Sequence, residues 1–243
     1  MIALFKKEIN NFFSSVIGYV VIILFLLVNA IFFFGIFGQN NILELGYANM
    51  DSFFQNAPYI FLLLIPAITM RSFAEEKSIG TIESLITKPI SETKIILAKY
   101  FAAIILVIFA ILPTFTYYFS LYYMGNPVGN IDTGAVMGSY LGLILLASIY
   151  VSIGLFASSV TENQIVSLLS SIALCLIVTV LFNYLGELKR LKAIDLFVME
   201  LGVLPHYVSI SRGVIDTRDI VYFISANAFF LLCTRTVLQK RKW

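Results

Sequence analysis

Apolar positions in this chain run together in long blocks instead of alternating. Five charge-free stretches, at about residues 53–70, 100–124, 134–157, 165–184 and 220–234, follow an earlier one at about 16–37. A helix needs about 20 mostly apolar residues to cross roughly 30 Å of hydrocarbon. The pattern therefore predicts an all-α, polytopic membrane protein with six transmembrane helices, forming one domain over residues 1–243. Pro66 and Pro113 fall inside the second and third spans, where each frees a backbone carbonyl and kinks its helix against neighbours.

Ahead of the first span, Leu4, Phe5, Ile9, Phe12, Phe13 and Val16 recur at helical spacing, with Lys6, Lys7, Asn10 and Asn11 between them. That periodicity predicts an amphipathic helix lying in the membrane interface, interrupted slightly by Glu8. The apolar run that follows exceeds a signal-peptide core and shows no small-residue cleavage site, so it reads as an uncleaved span. Residues 185–219 are apolar enough to suggest a seventh crossing. Asp195 and Glu200 would each cost roughly 2.5 kcal/mol or more at mid-bilayer, and Gly202 and Pro205 break the helix. A re-entrant or interfacial helical segment on the outer face fits better.

Charge is concentrated in one place. Between the second and third spans, nine charged residues lie from Arg71 to Lys99, in a chain where only 12% of residues are charged. Within that loop the sequence predicts a short helix over Thr81 to Thr87, with Gly80 as its N-cap, Glu83 in its first turn and Lys88-Pro89 closing it. Ile79, Ile82, Leu85 and Ile86 share one face of this helix. Ser91 then caps a second helix that continues through Lys94 and Lys99 into the third span.

If the amino terminus is cytoplasmic, 11 of the 16 basic residues fall on the cytoplasmic side, and the loops at 38–52 and 125–132 hold none. The positive-inside rule thus puts both termini and the charged loop in the cytoplasm. A hydrophobic fraction of 60% and mean hydropathy of +0.94 agree with a membrane protein, and a net charge of +2 gives no reason to expect nucleic acid as a partner. Cys175, Cys233 and the single His206 offer little material for a metal site, and none is expected. No phosphate-cradling G-x-x-x-x-G-K-[ST] loop occurs, so the chain does not bind nucleotide by that device.

The charged loop, TMRSFAEEKSIGTIESLITKPI, resembles the segment between the second and third spans of ABC-2 type transporter permeases. Glu75, Glu76, Gly80, Thr81, Ile82, Glu83, Leu85, Ile86, Thr87, Pro89 and Ile90 occupy the positions of that family's motif. The resemblance implies that this loop is a coupling helix, docking on a separate ABC ATPase subunit that is present in two copies, with Glu75, Glu76, Gly80, Thr81, Ile82, Glu83, Leu85, Thr87 and Pro89 as the coupling residues. It also implies a dimer of this chain with itself or a similar chain through spans one and five, export as the direction, and residence in a bacterial cytoplasmic membrane. ATP and magnesium would be used by the partner, with no cofactor bound and no catalytic residue in this chain. HYVSISRGVIDTRDIVYFI, residues 206–224, resembles the gliding-motility and copper-maturation permeases. The short loop after the first span lacks the large domain found in many drug-exporting relatives.

Gly134, Gly138 and Gly142, spaced by four, let another helix approach the fourth span closely, whether within the monomer or across an interface. Ser148, Ser152, Gly154 and Ala157 extend that small-residue surface and predict a central span. No ionisable residue lies at mid-depth in any span, which argues against an ion-coupled carrier. A membrane scaffold that recruits a cytoplasmic protein, and an autonomous channel or carrier, remain as alternative functions.

Overall fold

The computed structural model describes residues 1–35, 49–86, 90–187 and 195–240, and every regular element among them is helical. α1 (Ile2–Ser14) and α2 (Val16–Phe34) meet at Ser15, whose extended backbone interrupts the helical hydrogen bonding. Their axes diverge by 69°. The bend brings Phe12 so close that a Cβ on Gly18 would lie 2.5 Å from the Phe12 carbonyl oxygen, so only glycine fits there.

α3 (Asp51–Thr69) runs through a single turn into α4 (Ala74–Ser78), and α5 (Thr81–Ile86) follows. α6 (Glu92–Ile111) passes through a 3₁₀ turn at Leu112–Thr114, centred on Pro113, into α7 (Phe115–Met124). α8 (Thr133–Val160) is unbroken. α9 (Gln164–Leu176) widens into a π turn at Ile177–Leu181 before α10 (Phe182–Glu187). Two short helices, α11 (Asp195–Glu200) and α12 (Val203–Ser211), precede α13 (Thr217–Lys240).

Five helices or joined helices are long and apolar enough to cross a membrane: 51–78, 92–124, 133–160, 164–185 and 217–240. Counted as one span, the bent α1–α2 pair makes six. Several of these outrun the charge-free blocks, because a helical backbone continues wherever its own hydrogen bonds can close, whether or not the side chains are apolar. The segment before the last span forms no seventh candidate among the described residues. α11 and α12 are too short to cross, and Gly213 at φ +83 turns the chain after them.

α8 is the centre of the bundle and packs against α3, α6, α9, α12 and α13. Its small residues explain how. A Cβ on Gly154 would lie 2.0 Å from Thr69 Oγ1, so the end of α3 rests directly on the α8 backbone. Ser158 Oγ accepts hydrogen bonds from the Phe73 and Ala74 amides at 2.9 and 3.0 Å and donates to Met70 O at 3.1 Å. One hydroxyl thus satisfies the open backbone groups where α3 turns into α4. Asn227 on α13 donates to Ser148 Oγ at 2.7 Å, and Tyr150 OH meets Thr179 Oγ1 in the π turn at 2.6 Å. At the other end of the bundle, Phe33, Phe53, Tyr117 and Tyr140 pack as an aromatic cluster joining α2, α3, α7 and α8.

Candidate functional site

The charged loop folds against one end of the bundle. α4 prolongs α3 beyond the apolar block, and Gly80 then adopts φ +77, a left-handed conformation open to glycine at no steric cost. Its amide donates to Lys77 O at 3.2 Å while the Ile79 amide donates to Glu75 O at 3.1 Å. Gly80 therefore terminates α4 as well as preceding α5, where N-cap behaviour alone was expected. The Thr81 hydroxyl donates to Glu76 O at 3.3 Å and closes the corner.

This turn splits the apolar face predicted for the short helix. Ile79 lies before the left-handed residue and is 66% exposed, whereas Ile82 lies after it and is buried in the core. The reversal at Gly80 breaks the helical phase that would have kept the two together. Thr81 and Glu83 are exposed on α5. Leu85 belongs to α5, but its side chain lies outside the described residues, as do Thr87 and Pro89 entirely.

Glu76 does not face solvent. Its Oε2 sits 3.0 Å from Lys99 Nζ and its Oε1 3.2 Å from Lys7 Nζ. Lys99 also meets Glu8 Oε1 at 2.7 Å and donates to Ser72 O at 2.7 Å. The Lys99 side chain is 1% exposed, so its charge is held by two carboxylates and a carbonyl instead of water, the condition for burying an ammonium group. Lys99 also lies 5.1 Å from the Phe73 ring centroid. Four residues thereby join α1, α4 and α6 at one point. Lys77 extends the contact, donating from Nζ to the Ser159 carbonyl at the end of α8.

In the sequence this network is marked chiefly by Lys99 itself, a lysine two turns inside α6 at the edge of an apolar run, where a charge requires a partner. Glu8, which breaks the amphipathic stripe of α1, is half of the answer.

The network lines a cavity of about 230 Å³ in the crook of the α1–α2 bend, walled by α1, the end of α3, α4 and α6, with Arg71 and Glu75 also in its lining.

At the opposite end of the bundle, α12 crosses α8 at the glycine stripe. A Cβ on Gly138 would lie 2.9 Å from both Gly213 Cα and Ile210 O, and one on Gly142 would lie 3.2 Å from the Tyr207 ring. Gly134 differs, since a Cβ there would meet only Asp132 Oδ1 at 3.4 Å. Two of the three glycines therefore serve packing inside the chain. Tyr207 donates its hydroxyl to Phe54 O at 2.8 Å, and burial pushes its phenol well above the usual range, keeping it a donor. His206, which has no carboxylate near it in sequence, meets Asp219 through space. Its Nδ1 is 2.7 Å from Asp219 Oδ1 and its Nε2 2.8 Å from Glu200 O, with the ring stacked on Tyr222 at 3.9 Å. His206 pins α11 and α12 to α13. Cys175 is buried, Cys233 is half-buried, and both are free thiols.

A bundle of membrane-length helices around a central span, with a short helix between two of them held by ion pairs, defines a multi-pass membrane protein. The chain belongs to the ABC-2 transporter family: the model for ABC-2 family transporter proteins matches residues 2–198. It is thus a transmembrane component of an ABC transporter and not itself the ATPase, and the family implies association with an ABC ATPase partner. The match ends before residues 206–224, the stretch that resembles the gliding-motility and copper-maturation permeases. No curated protein matches the chain.

Proposed function

We propose that this chain is the permease subunit of an ATP-driven exporter in a bacterial cytoplasmic membrane, with the charged end of the bundle in the cytoplasm. It pairs with itself or a similar chain and binds two copies of the ATPase, which alone handles ATP and magnesium. The distribution of 11 of 16 basic residues supports that orientation. α5 is the coupling helix: Gly80, Thr81, Glu83 and Leu85, with Ile79, Thr87 and Pro89 flanking them, offer the docking contact, while Ile82 anchors the helix to the bundle.

The observation that carries this reading is the mechanical continuity of the site. α5 hangs from α4, a direct extension of α3, and Glu76 joins that lever through Lys99 to α6 and through Lys7 to α1. A push on α5 is thereby delivered to three helices at once. Packed, hydrogen-bonded elements of this kind move as units instead of deforming continuously.

Purification in mild detergent, with mass spectrometry of what accompanies the chain and an ATPase assay on the complex, tests the proposal. A Walker-motif ATPase in near-equal amount is expected. Leu85→Asp and Ile79→Asp should each reduce its recovery at least about tenfold, since burying an unpaired carboxylate in an interface costs several kcal/mol, while leaving the chain in the membrane. A lone chain after gentle solubilisation and crosslinking, with flux in vesicles containing nothing else, would replace this reading with an autonomous channel or carrier.

A further inference from the structure

The cavity beside the ion network carries a second inference, independent of ATPase docking. Its charges do not all pair. Lys7, Lys99, Glu8 and Glu76 form a closed set of two cations and two anions. Arg71 and Glu75, on the same cavity, make no ion pair among the described residues, and the buried Nε of Arg71 meets no hydrogen-bond acceptor among them. The two residues stand one turn apart, with the Glu75 amide donating to Arg71 O at 3.4 Å. Asn11, Ser15, Ser72 and Thr81 add neutral polar groups, and the apolar part of the lining is formed by Phe12, Ala67, Ile68, Ala103 and Leu106.

We infer that this cavity binds the headgroup of a zwitterionic phospholipid carrying a primary ammonium, a phosphatidylethanolamine. Three features of the cavity converge on that class. One unpaired guanidinium offers a planar, bidentate partner for a phosphate. One unpaired carboxylate a turn away offers an acceptor for an ammonium, and the two groups of phosphoethanolamine are separated by only a two-carbon bridge. The apolar lining residues continue from Arg71 back along α3, at Ala67 and Ile68, and from Lys99 onward along α6, at Ala103 and Leu106, into the membrane-length part of both helices, as lipid tails require. A singly anionic phosphatidylglycerol would satisfy Arg71 and leave Glu75 facing it without a cation. A quaternary choline has no N–H to donate to Glu75. The bound lipid would brace the α1–α2 bend against the α3–α4 lever, where the ionic network already joins them.

The full chain, purified in detergent and titrated separately with phosphatidylethanolamine, phosphatidylcholine, phosphatidylglycerol and soluble phosphoethanolamine, provides the test, with melting temperature and native mass spectrometry as readouts. Phosphatidylethanolamine should raise the melting temperature above the other three and remain bound in the spectrometer. Arg71→Gln and Glu75→Gln should each weaken its apparent affinity about tenfold or more. Arg71→Lys keeps the charge and should retain part of the effect, which separates lost recognition from a damaged fold. Equal stabilisation by phosphatidylcholine, an equal shift from soluble phosphoethanolamine, or full retention of the effect in both glutamine variants would overturn the inference. None of these results depends on whether an ATPase docks on α5.

Discussion

Lys99 is the residue on which the charged end of the bundle depends. It lies deeper than any other cation of the network, and its partners come from sequence positions as distant as Glu8. Replacing it by alanine leaves Glu8 with no cation in the network and Glu76 with only the half-exposed Lys7, and breaking a buried ion pair from one side costs about 3–5 kcal/mol. Lys99→Ala should therefore lower the unfolding midpoint in detergent by that equivalent. Lys7→Ala should cost under about 1 kcal/mol, because the Lys7 side chain is 51% exposed and solvent screens its pair with Glu76. Similar losses from the two variants would show that Lys99 is hydrated in the native protein. The same scale explains what sequence reading missed: the motif names Glu76 but says nothing of which way it points, and only the packing of α1 against α6 turns it inward.

Among the elements, α8 sets the geometry of the others, and it does so by what its glycines lack. A methyl group on Gly154 would overlap Thr69 Oγ1, which is itself committed to Ile65 O at 2.9 Å. Overpacking at such a contact costs about 1–3 kcal/mol. Gly154→Ala and Gly138→Ala should each lower thermal stability by that order, whereas Gly134→Ala should fall within about 0.5 kcal/mol of the parent, having no close neighbour beyond Asp132. Differential scanning fluorimetry on the three variants checks the ranking. The four-residue spacing and its extension through Gly154 announced close approaches by other helices; they did not reveal that the partner of Gly138 and Gly142 is α12, nor that the partner of Gly154 is α3. Small residues announce proximity, and the identity of the neighbour depends on chain topology.

For the molecule as a whole, the proposed mechanism carries α1 and α4 together during turnover, through the link that Lys7 and Glu76 supply. Lys7→Cys combined with Glu76→Cys, bridged by a short thiol-reactive crosslinker that takes the place of this link, should leave the ATPase bound and ATP-driven turnover no lower than in the unbridged double variant. Turnover suppressed several-fold by the bridge and restored on reduction of a cleavable linker would mean that α1 moves relative to α4. Measured ATPase rates before and after cleavage decide between them.

What the sequence determined by itself is what depends on local chemistry. The five or six candidate spans, the amphipathic first helix, the helix starting after Ser91 and the charged loop all follow from the cost of placing polar groups in hydrocarbon and from helical periodicity within a few turns. The short helix was also legible, nearly to its ends, though not the break in its apolar face at Gly80. The tertiary structure alone decided which polar groups meet. Lys99 with Glu8, His206 with Asp219 and Ser158 with the α3–α4 turn join residues 91, 13 and about 85 positions apart. Such pairs form because a buried polar group needs a partner within about 3 Å, and which partner lies that close is settled by how helices cross, a property no local pattern encodes.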